Sequence, residues 1–204
     1  GLGDMPYYLK KKNWTVTSTE IYDPFIKFAR EKLNVHHQKV LLDEFYKFHL
    51  DKKLIKFDVV GALGYFDILP NPLLHSKIIN NLLKKNGTMA LNIPINDSLS
   101  GLITEMFPDE SLRQVTPMDY SVFSKKSIFK MLELSGFTIR GIWYHGLDFY
   151  ELISKLIQKN KSNIKNQRID QIINLFNDFQ KIIDKNHLSD LLLICAQKNK
   201  NIEI

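Results

Sequence analysis

Cysteine is nearly absent. Cys195 is the only one in 204 residues, so no disulfide framework holds this chain and a reducing compartment is expected. Its setting, LLLICAQ, predicts a small apolar side chain inside a buried strand. No zinc-type spacing of Cys and His occurs, and no metal is expected. No apolar run approaches the roughly 20 residues that span a bilayer, and no signal-peptide pattern is visible, which makes the cytoplasm the expected location. A basic patch interleaved with aromatics, the pattern that grips single strands, is also missing. The net charge of +6 comes from lysines spread among Asn and Ile, which reads as a solvated surface with a leaning toward small anionic molecules rather than nucleic acid.

What is present suffices for a core. With 44% hydrophobic residues the chain is expected to form one domain over 1–204. Its punctuation alternates strands with helices. WTVTSTE (14–20) is rich in β-branched residues and stops on Glu20; in DPFIKFAREKL, Asp23 is placed to cap, Pro24 to start a helix, and Phe25, Phe28, Ala29 and Leu33 to share one face. HHQKVLL is the next strand candidate, then a short helix-like segment, then FDVVGAL (57–63), apolar enough for a sheet covered on both faces. Asn71 and Pro72 open a helix that Gly87 is expected to end, and TMALNIP follows as a strand. Ser124 caps KKSIFKMLELSG, Gly136 stops it, FTIRGIWYHG reads as a strand, and DLLLICAQK as the last. Alternation of this kind predicts an open, mostly parallel α/β sheet with helices on both faces, whose ligands bind outside the carboxyl ends of the strands.

With these residues in place, a resemblance becomes specific. GLGDMPYYLKKKNWTVTSTE resembles the nucleotide-binding start of class I S-adenosylmethionine-dependent methyltransferases, in which a first strand ends in an acid and a glycine run and a second strand ends in an acid. FDVVGALGYFDILPNPLLHSKIINNLLKKNGTMALNIP is similar to the family's fourth strand, helix and fifth strand, and SKKSIFKMLELSGF to the helix before its sixth. The resemblance implies a Rossmann-like sheet with an antiparallel last strand and a helical insertion before it. It also implies that the first strand lies before residue 1 and is missing from this chain.

The cofactor implied is S-adenosylmethionine, with S-adenosylhomocysteine as product. Gly1 and Gly3 match the last glycines of the loop, where a side chain would collide with the methionine part. Glu20 matches the acid that accepts from both ribose hydroxyls; Ile21 would pack on the adenine, Asp43 would lie near its edge, and Leu63 and Gly64 would offer backbone after the fourth strand. For the base, the family's Glu-His pair falls on Asp67 and Ile68, and a second family histidine falls on Asp119, so neither histidine carries over. His145, at the end of a strand with Asp148 close by to orient it, is the preferred base; a histidine merely packed in a turn is the alternative. His36, His37, His49, His75 and His187 are weaker candidates.

The segment 147–187 is an insertion. YELISKLI and IDQIINLFNDFQKIIDK have helical periodicity, with Ile169, Ile172, Ile173, Phe176, Phe179 and Ile183 in one stripe, and QKNKSNIKNQ between them is polar. Sheet packing, a lid or a homodimer contact would each account for it. The chain lacks the Asp/Asn-Pro-Pro-aromatic turn of exocyclic-amine nucleic-acid enzymes, having GALGYF instead, and Cys195 stands in the last strand, away from a pyrimidine nucleophile's place. HGLDFYELI resembles segments of methyltransferases that modify sugars and surface polysaccharides. Methyl transfer to oxygen of a small or carbohydrate-like acceptor is therefore expected, with an RNA or protein methyltransferase, or a non-catalytic domain of the same fold, as alternatives.

Overall fold

A computed structural model of the chain describes residues 1–50, 56–107, 120–159, 171, 172 and 174–204. They fall into two compact units, Gly1–Ile55 and Lys56–Ile204.

In the first unit, three helices surround a minimal strand pairing: α1 (Asp4–Lys11), α2 (Asp23–Leu33) and α3 (Leu42–Leu50). The expected strands 14–20 and HHQKVLL reduce to one parallel bridge, Thr19 to Gln38. It is closed by Glu20 N–H to Gln38 O at 3.1 Å and Gln38 N–H to Ser18 O at 2.8 Å. Leu42, the last residue of HHQKVLL, already belongs to α3, which shortens the pairing segment. The helix at DPFIKFAREKL forms as read, with one shift: Tyr22 is its N-cap and Asp23 its first residue. Ala29 is fully buried, whereas Phe25 and Phe28 are exposed.

The second unit is a four-stranded sheet: β1 (Phe57–Leu63), β2 (Leu83–Pro94), β3 (Phe137–His145) and β4 (Leu191–Lys198), in the order β1-β2-β4-β3. β2 runs parallel to β1, and β4 runs antiparallel to both β2 and β3, so three strands point one way and the last is reversed. That is the expected mostly parallel sheet with an antiparallel last strand. Helices α4 (Pro72–Leu82) and α6 (Lys125–Leu134) pack on one face, while α5 (Leu99–Met106) follows β2. α7 (Asp148–Lys159) and α8 (Phe176–Lys185) form the insertion before β4, with α8 against β3.

The core follows from the two-residue period of the strands. Met89, Leu91 and Ile93 of β2 face the same way as Ala196, Ile194 and Leu192, their register partners in β4, and all six are buried. The other face carries a row of small residues, Gly61, Ala90, Cys195 and Gly141, one from each strand. Cys195 is therefore exposed, which corrects the expectation of a buried thiol: it alternates with Ile194 and Ala196 and takes the opposite face. β1 also departs from its reading. It stands at the edge of the sheet, and of its residues only Ala62 is buried, while Val59 and Leu63 are exposed.

Turn chemistry sets the helix ends. Asn71 Oδ1 accepts from Leu74 N at 3.1 Å, and Ser124 with Ser127 forms a reciprocal capping box. Gly136, at φ 75°, closes the turn after α6. Gly87 does not end α4, as had been expected; the helix stops at Leu82 and Gly87 lies inside β2. Among the described residues no helix is long and apolar enough to cross a membrane.

Candidate active site

The glycine loop and its acid lie in the first unit. Gly3 has φ 91° and caps α1, a left-handed position that a side chain would strain. A Cβ there would also stand 3.0 Å from Ala29 Cβ and 3.3 Å from His37 Nε2. Burial holds the His37 imidazole below its ordinary pKa. Glu20 is held by its own turn: Oε1 accepts from Ile21 N at 2.7 Å and Tyr22 N at 2.9 Å. The next two side chains, Ile21 and Tyr22, are exposed. Asp43 sits in the first turn of α3, 3.6 Å from Lys47 Nζ.

The second unit brings its candidates to the carboxyl ends of β1, β2 and β3. Leu63 ends β1 opposite Asn92, and Gly64 follows at φ 55°, its N–H donating to Asn92 O at 3.2 Å. The Asn92 Oδ1 atom is shielded from solvent and has no hydrogen-bond partner among the described residues. His145 is the last residue of β3, half-buried and paired with Leu191. Asp119 lies outside the described residues, although Tyr120 and Ser121 donate their amides to the Asp67 carbonyl at 2.8 and 3.1 Å.

Asp148 turns out to be a structural tie. Its carboxylate is fully buried, with Oδ1 accepting from Ser100 N at 3.1 Å and Ser100 Oγ at 2.8 Å. Oδ2 accepts from Gln180 Nε2 at 3.1 Å and Asp190 N at 3.2 Å. Both oxygens are committed to joining α5, α7, α8 and the start of β4, which replaces the expected role of orienting His145.

One pair went unread in the sequence. Tyr65, two residues past β1, has its hydroxyl 2.8 Å from His75 Nδ1, and the two rings meet edge to face with centroids 5.8 Å apart. Phe66, fully buried, anchors the loop between them. The signal available was a tyrosine directly after the glycine that follows a strand, ten residues before a histidine in the first turn of a proline-started helix. A second cluster at this end stacks Tyr144 on His187 at 4.1 Å, with Lys125 Nζ 5.5 Å above the Tyr144 ring. Among the described residues no group of His, Cys, Asp and Glu could hold a metal ion.

No family model matches the chain, and no curated protein does. Solved structures do. A SAM-dependent methyltransferase from Archaeoglobus fulgidus is 18% identical, with 97% of this chain and 82% of that one covered and a TM-score of 0.60. A SAM-dependent methyltransferase from Thermotoga maritima, described as a possible histamine N-methyltransferase, is 14% identical over 97% of this chain and 78% of that one, at TM-score 0.61. The magnesium protoporphyrin IX methyltransferase of Synechocystis, solved with S-adenosylhomocysteine bound, is 11% identical over 97% and 70%, at TM-score 0.58. This chain has the α/β fold of the S-adenosylmethionine-dependent methyltransferases.

Proposed function

We propose that the chain transfers a methyl group from S-adenosylmethionine to a hydroxyl of a small, carbohydrate-like acceptor, and works in the cytoplasm. Fold alone does not carry function. The observation that carries it is the Glu20 turn, a carboxylate with 13% of its side-chain surface exposed, one oxygen fixed by two backbone amides, and apolar Ile21 and Tyr22 bare beside it. In this reading Gly1 and Gly3 accommodate the methionine part, Glu20 the ribose hydroxyls, Ile21 and Asp43 the adenine, and Leu63 and Gly64 offer backbone.

When bound, the cofactor supplies an electrophilic sulfonium methyl. The protein's share is then to align the acceptor and accept its proton, a task for His145 or for Asp119. The surplus of positive charge supports an anionic acceptor such as a nucleotide sugar. Exposed Phe179 and Ile182 on α8 support a homodimer through the insertion. The test is release of S-adenosylhomocysteine from the methyl donor with nucleoside-diphosphate sugars, against tRNA as a control acceptor. Release with the sugars and not with tRNA supports the reading; release with tRNA alone overturns the acceptor class.

A further inference from the structure

We infer that Tyr65 and His75, in place of His145 or Asp119, form the proton relay that serves the acceptor hydroxyl, an inference that rests on the methyl-transfer reading above. Three observations converge. The two groups are paired, with Tyr65 Oη and His75 Nδ1 at 2.8 Å. It stands just beyond Gly64 at the carboxyl end of β1, the edge of an open α/β sheet where ligands bind. Both side chains are half-buried, so the pair meets the loop region without being sealed in the core. The shielded Asn92 Oδ1, in register with Leu63, gives the same end of the sheet an unused acceptor for a hydroxyl donor.

The loop is built to hold this geometry. Gly64 turns the chain at φ 55°, buried Phe66 pins it, and the Asn71 cap with Pro72 starts α4 so that His75 lies in its first turn, facing back along the loop. Neither residue is required for the sheet itself, which is closed by Leu91, Ile93, Leu192 and Ile194.

The step balances as follows. A lone pair on the acceptor oxygen forms the bond to the methyl carbon, and the carbon–sulfur bond breaks with its pair remaining on sulfur. The acceptor proton passes to Tyr65 Oη while the tyrosine proton passes to His75 Nδ1, leaving an imidazolium that returns its proton to water. A neutral imidazole is the form that can start this sequence.

The test needs no acceptor. S-adenosylmethionine carries a sulfonium charge and S-adenosylhomocysteine does not, so a histidine that serves the transferring methyl titrates differently in the two complexes. The full chain is labelled for imidazole NMR, His75 is assigned with His75→Gln, and its titration midpoint is measured with each ligand. The midpoint is expected to be lower by about half a pH unit or more with the cationic ligand, and to differ between Tyr65→Phe and the native chain, because the hydroxyl contacts Nδ1 directly. If both ligands bind and the His75 midpoint is the same in the two complexes, or only the His145 midpoint responds, the relay is overturned and cofactor binding stands. If neither ligand perturbs the spectrum, the methyl-transfer reading itself falls.

Discussion

Two residues show how a single position here is decided by what its side chain would meet. Asp148 gathers four donors from three other segments with no exposed surface, so Asp148→Ala strands them all and is expected to cost about 3 kcal/mol or more in a urea melt. Asp58, whose ion pair with Lys84 at 2.8 Å is largely exposed, is the control: its replacement by Ala should leave the midpoint almost unmoved. Gly146 completes the Asp148 site, since a Cβ there would overlap Asp190 Oδ1 and stand 2.5 Å from Asp148 Oδ2. Gly146→Ala should therefore unfold the second unit at markedly lower urea, and an unchanged midpoint would refute the crowding.

Asp148 and the Tyr65–His75 pair mark the limit of reading a site from sequence. The position of Asp148 was legible, three residues past a strand-ending histidine, but its partners Ser100 and Gln180 are 48 and 32 residues away in sequence, and local pattern is silent about them. The Tyr65–His75 pair was hidden differently: ten residues separate the two, across a turn whose course depends on Gly64 and the Asn71 cap together.

At the scale of elements, several boundaries of the second unit were legible to the residue, while the start of β2 at Leu83 and the helix α5 were not. FDVVGAL is β1 from end to end, and Ser124, Gly136 and Asn71 act at helix boundaries as read. Strong capping chemistry and a two-residue period leave little choice there. The misreadings lie where neighbours decide. β1 looked like a doubly covered strand but sits at the edge, and the strands of the first unit shrink to the Thr19–Gln38 bridge because pairing cannot be seen in one segment alone.

One junction between elements titrates. Lys198, at the end of β4, donates from Nζ to Asn80 O at 2.8 Å and Leu83 O at 3.2 Å, around the C-terminal turn of α4. Burial, with the Lys56 charge adding, lowers its pKa below the ordinary 10.5. Between that lowered value and 10.5 the unfolded chain holds more protons than the folded one, so stability rises with pH across the window. Urea midpoints measured upward from pH 8 should climb more steeply in the native chain than in Lys198→Met; equal slopes would remove Lys198 from the account.

At the scale of the whole molecule, the order β1-β2-β4-β3 with a reversed last strand, and the likeness to methyltransferase structures at 11–18% identity, describe the fold without fixing the chemistry. The proposed cofactor binding rests on Glu20. The measurement that tests it most directly is a calorimetric titration of S-adenosylhomocysteine into the full chain, with Glu20→Ala beside it. The account predicts saturable one-to-one binding that weakens about tenfold or more in the alanine variant, as the ribose hydroxyls lose their charged acceptor. No binding, or binding that Glu20→Ala leaves intact, would contradict it.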